Sequence, residues 1–154
     1  MRLHFSGAPV IAAPRDQVWG FLLDPQFIAA ATPGVEDIQV RDATHFRVVV
    51  GFGVAMFKLH FDLDVELYDL QEPDSARMRM HGKAGSSIMD TRSDIRLEEL
   101  DSRRVRLYWK AESEVHGAIA SVGARLLEGA VRRMTEQFWQ EFVRRAERAA
   151  RASP

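Results

Sequence analysis

The sequence predicts an α+β fold: a curved antiparallel sheet of about seven strands around one long C-terminal helix, with two short helices after the first strand. Three observations lead there. FKLHFDLDVEL (57–67) alternates without error, setting Phe57, Leu59, Phe61, Leu63, Val65 and Leu67 against Lys58, His60, Asp62, Asp64 and Glu66. That is the pattern of an antiparallel strand with one wet face. Other period-two segments lie on both sides of it, from Ile38 to Ala111. Residues 118–148 instead follow the helical period, with Ile119, Leu126, Leu127, Val131, Met134, Phe138 and Phe142 on one broad face. A sheet with a helix segregated onto its apolar face is a two-layer α+β solution.

Taken in order, LHFSG (3–7) alternates and reads as a strand. Pro14 then suits the first position of a helix over about 14–23, because its missing N–H is not needed there. Asp24-Pro25 reads as a cap and restart, and a second helix over about 25–31 ends before Pro33-Gly34. Ile38 and Val40 open the run of strands, THFRVVV (44–50) follows, and Gly51 and Gly53 mark the next break. After 57–67, Pro73-Asp74 turns the chain into ARMRM (76–80), broken by Gly82 and Gly85. Ile95 and Leu97, then Val105, Leu107, Trp109 and Ala111, give two more strands. Six consecutive strands twist strongly, so the sheet is expected to curl around the helix and leave a hollow. The expected domain is 1–148, with a short polar tail at 149–154.

Composition narrows the function. Charges nearly cancel at net −1, so no global basic field for nucleic acid exists. There is no cysteine, which excludes disulfides, thiolate nucleophiles and Cys-ligated metal sites. The five histidines are scattered without metal-ligand spacing; no metal and no catalytic residue is expected. MRLHFSGAPV lacks the apolar core of a secretory signal, and no run approaches a membrane span. The expectation is a cytoplasmic protein without covalent cofactor.

Four stretches carry a resemblance: FSGAPVIAAPRDQVWGFLLDP (5–25), TPGVE (32–36), HGKAG (81–85) and VHGAIASVGARLL (115–127). In order and spacing the chain resembles the START-like (SRPBCC) superfamily, and within it the family of the carbon monoxide dehydrogenase G-subunit. The resemblance implies a helix-grip fold with an apolar cavity between the long helix and the curved sheet. It also implies an accessory role for molybdenum-containing hydroxylases, in maturation, membrane recruitment or delivery of an electron acceptor. The ligand it implies is a quinone or lipid, and the partners are components of the hydroxylase. Two stretches depart from the family pattern. The chain ends at ARASP, without the apolar anchor of some members, so a peripheral membrane contact is expected rather than a transmembrane one. SSIMDTRSD follows HGKAG where the family has a glycine-rich run.

In such a fold the residues expected to line the cavity are Phe27, Met56, Phe57, Phe61, Met78, Met80, Met89, Trp109, Ile119, Val122, Gly123 and Leu126. Methionine suits a surface that adapts to its ligand, although the same residues also fill ordinary cores. Pro33, Gly34 and Glu36 are expected at the cavity entrance; a turn-edge carboxylate paired with a nearby arginine is the plainer role for Glu36. Trp139 and Val143 sit one turn apart, about 100° from the centre of the apolar helix face. They are either covered by the first helices or, with Arg132 on an arginine-rich helix, a surface for a partner. Gly123 falls near the centre of the apolar face, where a small residue lets the sheet come close or leaves a void. Gly123→Leu is accordingly expected to abolish ligand uptake, or to destabilise by overpacking, by ~1–3 kcal/mol. Ser113 is the main polar residue on an inward register. Two alternatives to a carrier remain: a polyketide cyclase or aromatase, which needs polar groups inside the cavity to move protons, and a protein-interaction module.

Overall fold

The computed structural model describes residues 1–152. Its order is β1 (Arg2–Gly7), β2 (Val10–Ile11), α1 (Arg15–Leu22), α2 (Pro25–Ala31), β3 (Val35–Asp42), β4 (His45–Val54), β5 (Phe57–Gln71), β6 (Ser75–Ala84), β7 (Ser87–Asp101), β8 (Arg104–His116), a 3-10 segment (Ala118–Val122) and α3 (Ala124–Ala152). The strands form one antiparallel sheet in the order β1-β8-β7-β6-β5-β4-β3, with β2 beside β8. The six strands from β3 to β8 are each paired with the next by a hairpin. The first strand closes the far edge against β8, Leu3 facing Ser113 and Phe5 facing Ala111. This is the helix-grip arrangement: a curved sheet holding one long helix.

Local chemistry explains the boundaries. Asp24 caps α2, its Oδ1 accepting from the Gln26 and Phe27 amides at 3.0 and 3.4 Å, and Pro25 follows at the first turn. The alternation read for β5 is realised: Phe61, Leu63, Val65 and Leu67 are buried. On the other face charges of opposite sign meet across strands. Arg47 of β4 grips Asp62 of β5 through two bonds of 2.6 Å, and Arg77, Asp94 and Lys110 ladder across β6, β7 and β8. That face is solvated, as the alternation of charges implies.

Several elements differ from the sequence reading. β4 runs through Gly51 and Gly53 to Val54 without a break, and β7 begins at Ser87, well before Ile95. β6 runs on through Gly82 to Ala84: the glycine does not break the strand but makes room for Leu63, whose Cδ2 would lie 2.5 Å from a Cβ there. The C-terminal helix does not begin at 118. The chain leaves β8 through Gly117 (φ +86°), makes the 3-10 segment, and breaks again at Gly123 (φ +100°) before α3 starts. Both torsions belong almost only to glycine. At Gly117 a Cβ would also strike the Ser86 carbonyl oxygen at 1.8 Å. The 3-10 segment is pinned to the β6–β7 turn, its Ala118 and Ile119 amides donating to Ser86 and Ser87 hydroxyls at 3.3 and 2.9 Å. At its other end α3 continues as far as Ala152, through most of the expected tail; residues 153–154 lie outside the described residues. Among the described residues no helix is long and apolar enough to cross a membrane.

The interior is two apolar clusters rather than one. The first joins β1, β4, β5, the end of β8 and the start of α3 through residues such as Phe46, Phe61, Val115 and Leu127. The second joins α1, α2, the outer halves of β7 and β8, and the far part of α3 around Phe142, which is wholly buried. Trp109 packs against both.

Candidate functional site

A cavity of about 290 Å³ lies between the concave sheet face and α3, near the lower end of the ~300–1,000 Å³ usual for ligand pockets. Its sheet wall comes from β4 to β8, with Val48 and Val50, Phe61 and Leu63, Met78 and Met80, Met89, and Trp109. Its roof is one stripe of α3, Leu127, Val131, Met134, Phe138 and Trp139. The spacing 127, 131, 134, 138 is that of a single helix face. Burial supports a real hollow. Met78 and Met80 point inward from β6, the middle strand of the sheet, yet both keep accessible surface. That surface faces the cavity.

The wall is almost wholly apolar. Among the described residues it contains no acidic, basic, histidine or tyrosine side chain; its polar side chains are Thr32, Thr91, Ser93, Ser113 and Thr135, together with the indole N–H of its tryptophans. Thr32 and Thr135 turn their hydroxyls back to backbone carbonyls of Ile28 and Val131, at 2.6 and 2.8 Å. Thr91 and Ser113 are buried and bond to one another at 2.7 Å. Among the described residues no group of three or more His, Asp or Glu is placed to hold a metal ion.

Of the residues expected to line the cavity, Phe61, Met78, Met80, Met89, Trp109 and Ile119 do so. Six do not. Met56 (98% exposed) and Phe57 (53%) form the tip of the β4–β5 hairpin, beyond the reach of α3. Leu126 is 56% exposed because Leu127, one helical step further on, takes the inward place. Phe27 belongs to the second cluster, stacked on Phe21 at 4.3 Å and edge-on to Phe142 at 5.3 Å. Val122 packs against the first cluster without reaching the cavity. Gly123 faces open space, since it stands at the break before α3 and not on its apolar face.

At the expected entrance only Pro33 lines the cavity, beside Thr32 and Ile28. Gly34 is instead a close crossing of two chain segments, its carbonyl accepting from the Gly51 amide at 2.7 Å. Glu36 lies on the outer sheet face, where it pairs with His60 Nδ1 at 2.6 Å and not with an arginine. The expected partner surface is also redistributed. Trp139 faces inward and stacks on Trp109, ring centres 5.5 Å apart. Val143 is half-buried against the second cluster. Arg132 remains exposed, bonded to Glu128 at 2.8 Å with its guanidinium 5.3 Å from the Phe5 ring.

Sequence reasoning misses Trp139, Thr91 and Ser93 as cavity residues. A helical wheel that counts Leu126 as inward misplaces Trp139, because Leu126 turns outward to solvent and the inward face runs instead from Leu127 toward Phe142 and Trp139. Thr91 and Ser93 share the inward register of Met89 and Ile95, a signal that is present in the alternation.

Comparison with known proteins agrees with this architecture. The family of the carbon monoxide dehydrogenase G-subunit (CoxG) matches residues 7–147. No curated protein matches the sequence significantly. Among solved structures, a conserved protein from Geobacillus kaustophilus superposes with a TM-score of 0.87 at 20% identity, covering 96% of this chain and 97% of that one. The Zhui aromatase/cyclase from Streptomyces sp. R1128 superposes at 0.73 with 19% identity, covering 96% and 95%. A START superfamily protein from Mycobacterium smegmatis gives 0.73 at 11% identity, covering 95% and 98%. At these identities the structural likeness establishes the fold.

Proposed function

The chain belongs to the CoxG family, that of the carbon monoxide dehydrogenase G-subunit, and from that premise we propose that it binds a lipophilic small molecule, a quinone or lipid, in the cavity beneath α3. In this role it serves a carbon monoxide dehydrogenase-type molybdenum hydroxylase as an accessory protein, in its maturation, its recruitment or the delivery of an electron acceptor. The observation that carries the binding part is the cavity itself: concave, apolar, and closed by a helix whose facing residues are large and soft. The hydroxylase part rests on family membership. The expected location is the cytoplasm, with peripheral membrane contact where the ligand is exchanged.

The likeness to an aromatase/cyclase raises an enzymatic alternative. General acid–base catalysis uses groups that titrate near the working pH, and the cavity wall offers hydroxyls and indoles instead. This favours binding over turnover. Native mass spectrometry of the purified protein, followed by organic extraction, tests the reading. A quinone or lipid released on extraction, or a mass shift on adding menaquinone or a neutral lipid, is the expected result. A clean apo mass with no shift on either addition contradicts it, and turnover of an aromatic polyketide would favour the cyclase.

A further inference from the structure

Thr91 of β7 and Ser113 of β8 stand directly opposite one another in the sheet register. Both are more than nine-tenths buried, at 6% and 5% exposure, and both face the cavity. Their neighbours across the sheet are apolar: Met80 beside Thr91, and Leu3 beside Ser113. Ser93, two residues along the same face, is opposed by the small Ala111. These three hydroxyls cluster on the sheet wall, whereas those of Thr32 and Thr135 are turned back onto backbone carbonyls.

The pair does not exhaust its own hydrogen-bonding capacity. Two hydroxyls carry two protons and four lone pairs, and the 2.7 Å bond between them uses one proton. Among the described residues the second proton has no other side-chain or backbone acceptor, and the Ser93 hydroxyl makes no hydrogen bond. Burying a hydroxyl in an apolar wall is unfavourable unless it is bonded, and an apolar pair of the same shape fits such a place with little or no loss of stability. The spare donors therefore point to a ligand acceptor. The charge of that acceptor follows from the wall: among the described residues no Lys, Arg or His lines the cavity, so a carboxylate would lose its hydration there without gaining a counter-charge.

We infer that Thr91, Ser93 and Ser113 form the specificity position of the cavity, selecting lipophiles with a neutral carbonyl-type oxygen over pure hydrocarbons and over carboxylates. This rests on the ligand-binding reading above.

Three probes with one naphthalene body separate the possibilities: 2-acetylnaphthalene, its hydrocarbon isostere 2-isopropylnaphthalene, and 2-naphthoate. Affinities are read by calorimetry on the full chain. The wild type is expected to prefer the ketone to the hydrocarbon by about tenfold, and to bind the carboxylate weakest. Thr91→Val with Ser113→Ala should weaken the ketone by about tenfold and leave the hydrocarbon within about twofold. Should that double variant fail to fold, Ser93→Ala, which keeps the bonded pair, should weaken the ketone alone by roughly threefold. Equal weakening of ketone and hydrocarbon, an unchanged ketone, or naphthoate bound as tightly as the ketone overturns the inference. Absence of binding by all three probes to the wild type would instead remove the ligand-binding reading, and this inference with it.

Discussion

Gly123 holds a backbone torsion of +100° with nothing within 4 Å of where a side chain would start. A side chain there is strained by its own backbone and meets neither sheet nor ligand. Gly123→Leu should therefore destabilise the fold by ~1–3 kcal/mol in thermal or urea unfolding, while the folded fraction binds lipophilic probes with unchanged affinity. Loss of binding by fully folded Gly123→Leu would return this glycine to the cavity. Trp139 is the opposite case. It stacks on Trp109 at the boundary of both clusters, and Trp139→Ala should cost about 3 kcal/mol and reduce probe binding. A stable variant with intact binding would mean that the indole faces a partner. The two residues differ in what the sequence can reveal. A helical wheel carries no information about a left-handed break, so it places Gly123 on the apolar face; it places Trp139 off that face because it counts the exposed Leu126 as inward.

Among elements, α3 does the most with one surface. Its stripe from Leu127 to Trp139 roofs the cavity, and from Phe142 onward the same helix is solid core against α1 and α2. Phe142→Ala, at a wholly buried ring, should cost ~3–5 kcal/mol and leave probe affinity in the folded protein within a few-fold. On its exposed side Glu141 is held at about 2, chiefly by the Arg144 guanidinium and further by Arg145. A carboxyl lowered on folding contributes stability that is fully present above its ordinary value of 4.5 and is lost as pH falls through about 2. The stability gap between wild type and Glu141→Gln should thus be level near neutrality and close as the pH is lowered from 4.5 toward 2, at low ionic strength where exposed pairs are least screened. A gap independent of pH across that window would contradict the ion pair. The strands are the most legible elements, because alternation in β5 states directly which side chains are wet. The two-residue β2 is not legible, since two residues are too few to show a period.

For the whole molecule, the layer arrangement follows from the order of periodic segments, and the hollow does not. Alternation says that Met78 and Met80 face inward; it does not say whether sheet and helix close upon one another. The separation arises from strand twist and from Gly117 and Gly123 setting where α3 begins; the hollow opens within the first cluster and is bounded on one side by the second, at Leu22, Trp109 and Trp139. The same geometry sends Met56 to a hairpin tip, although its residue type matches the lining. The six methionines divide cleanly: Met78, Met80, Met89 and Met134 line the cavity, while Met1 and Met56 do not. Methyl NMR of protein labelled at the methionine methyl groups, titrated with menadione, tests the ligand site most directly. The expected result is saturable shifts of Met78, Met80, Met89 and Met134 with Met1 and Met56 unmoved; shifts confined to Met56, or none at any of the four lining methyls, would contradict it.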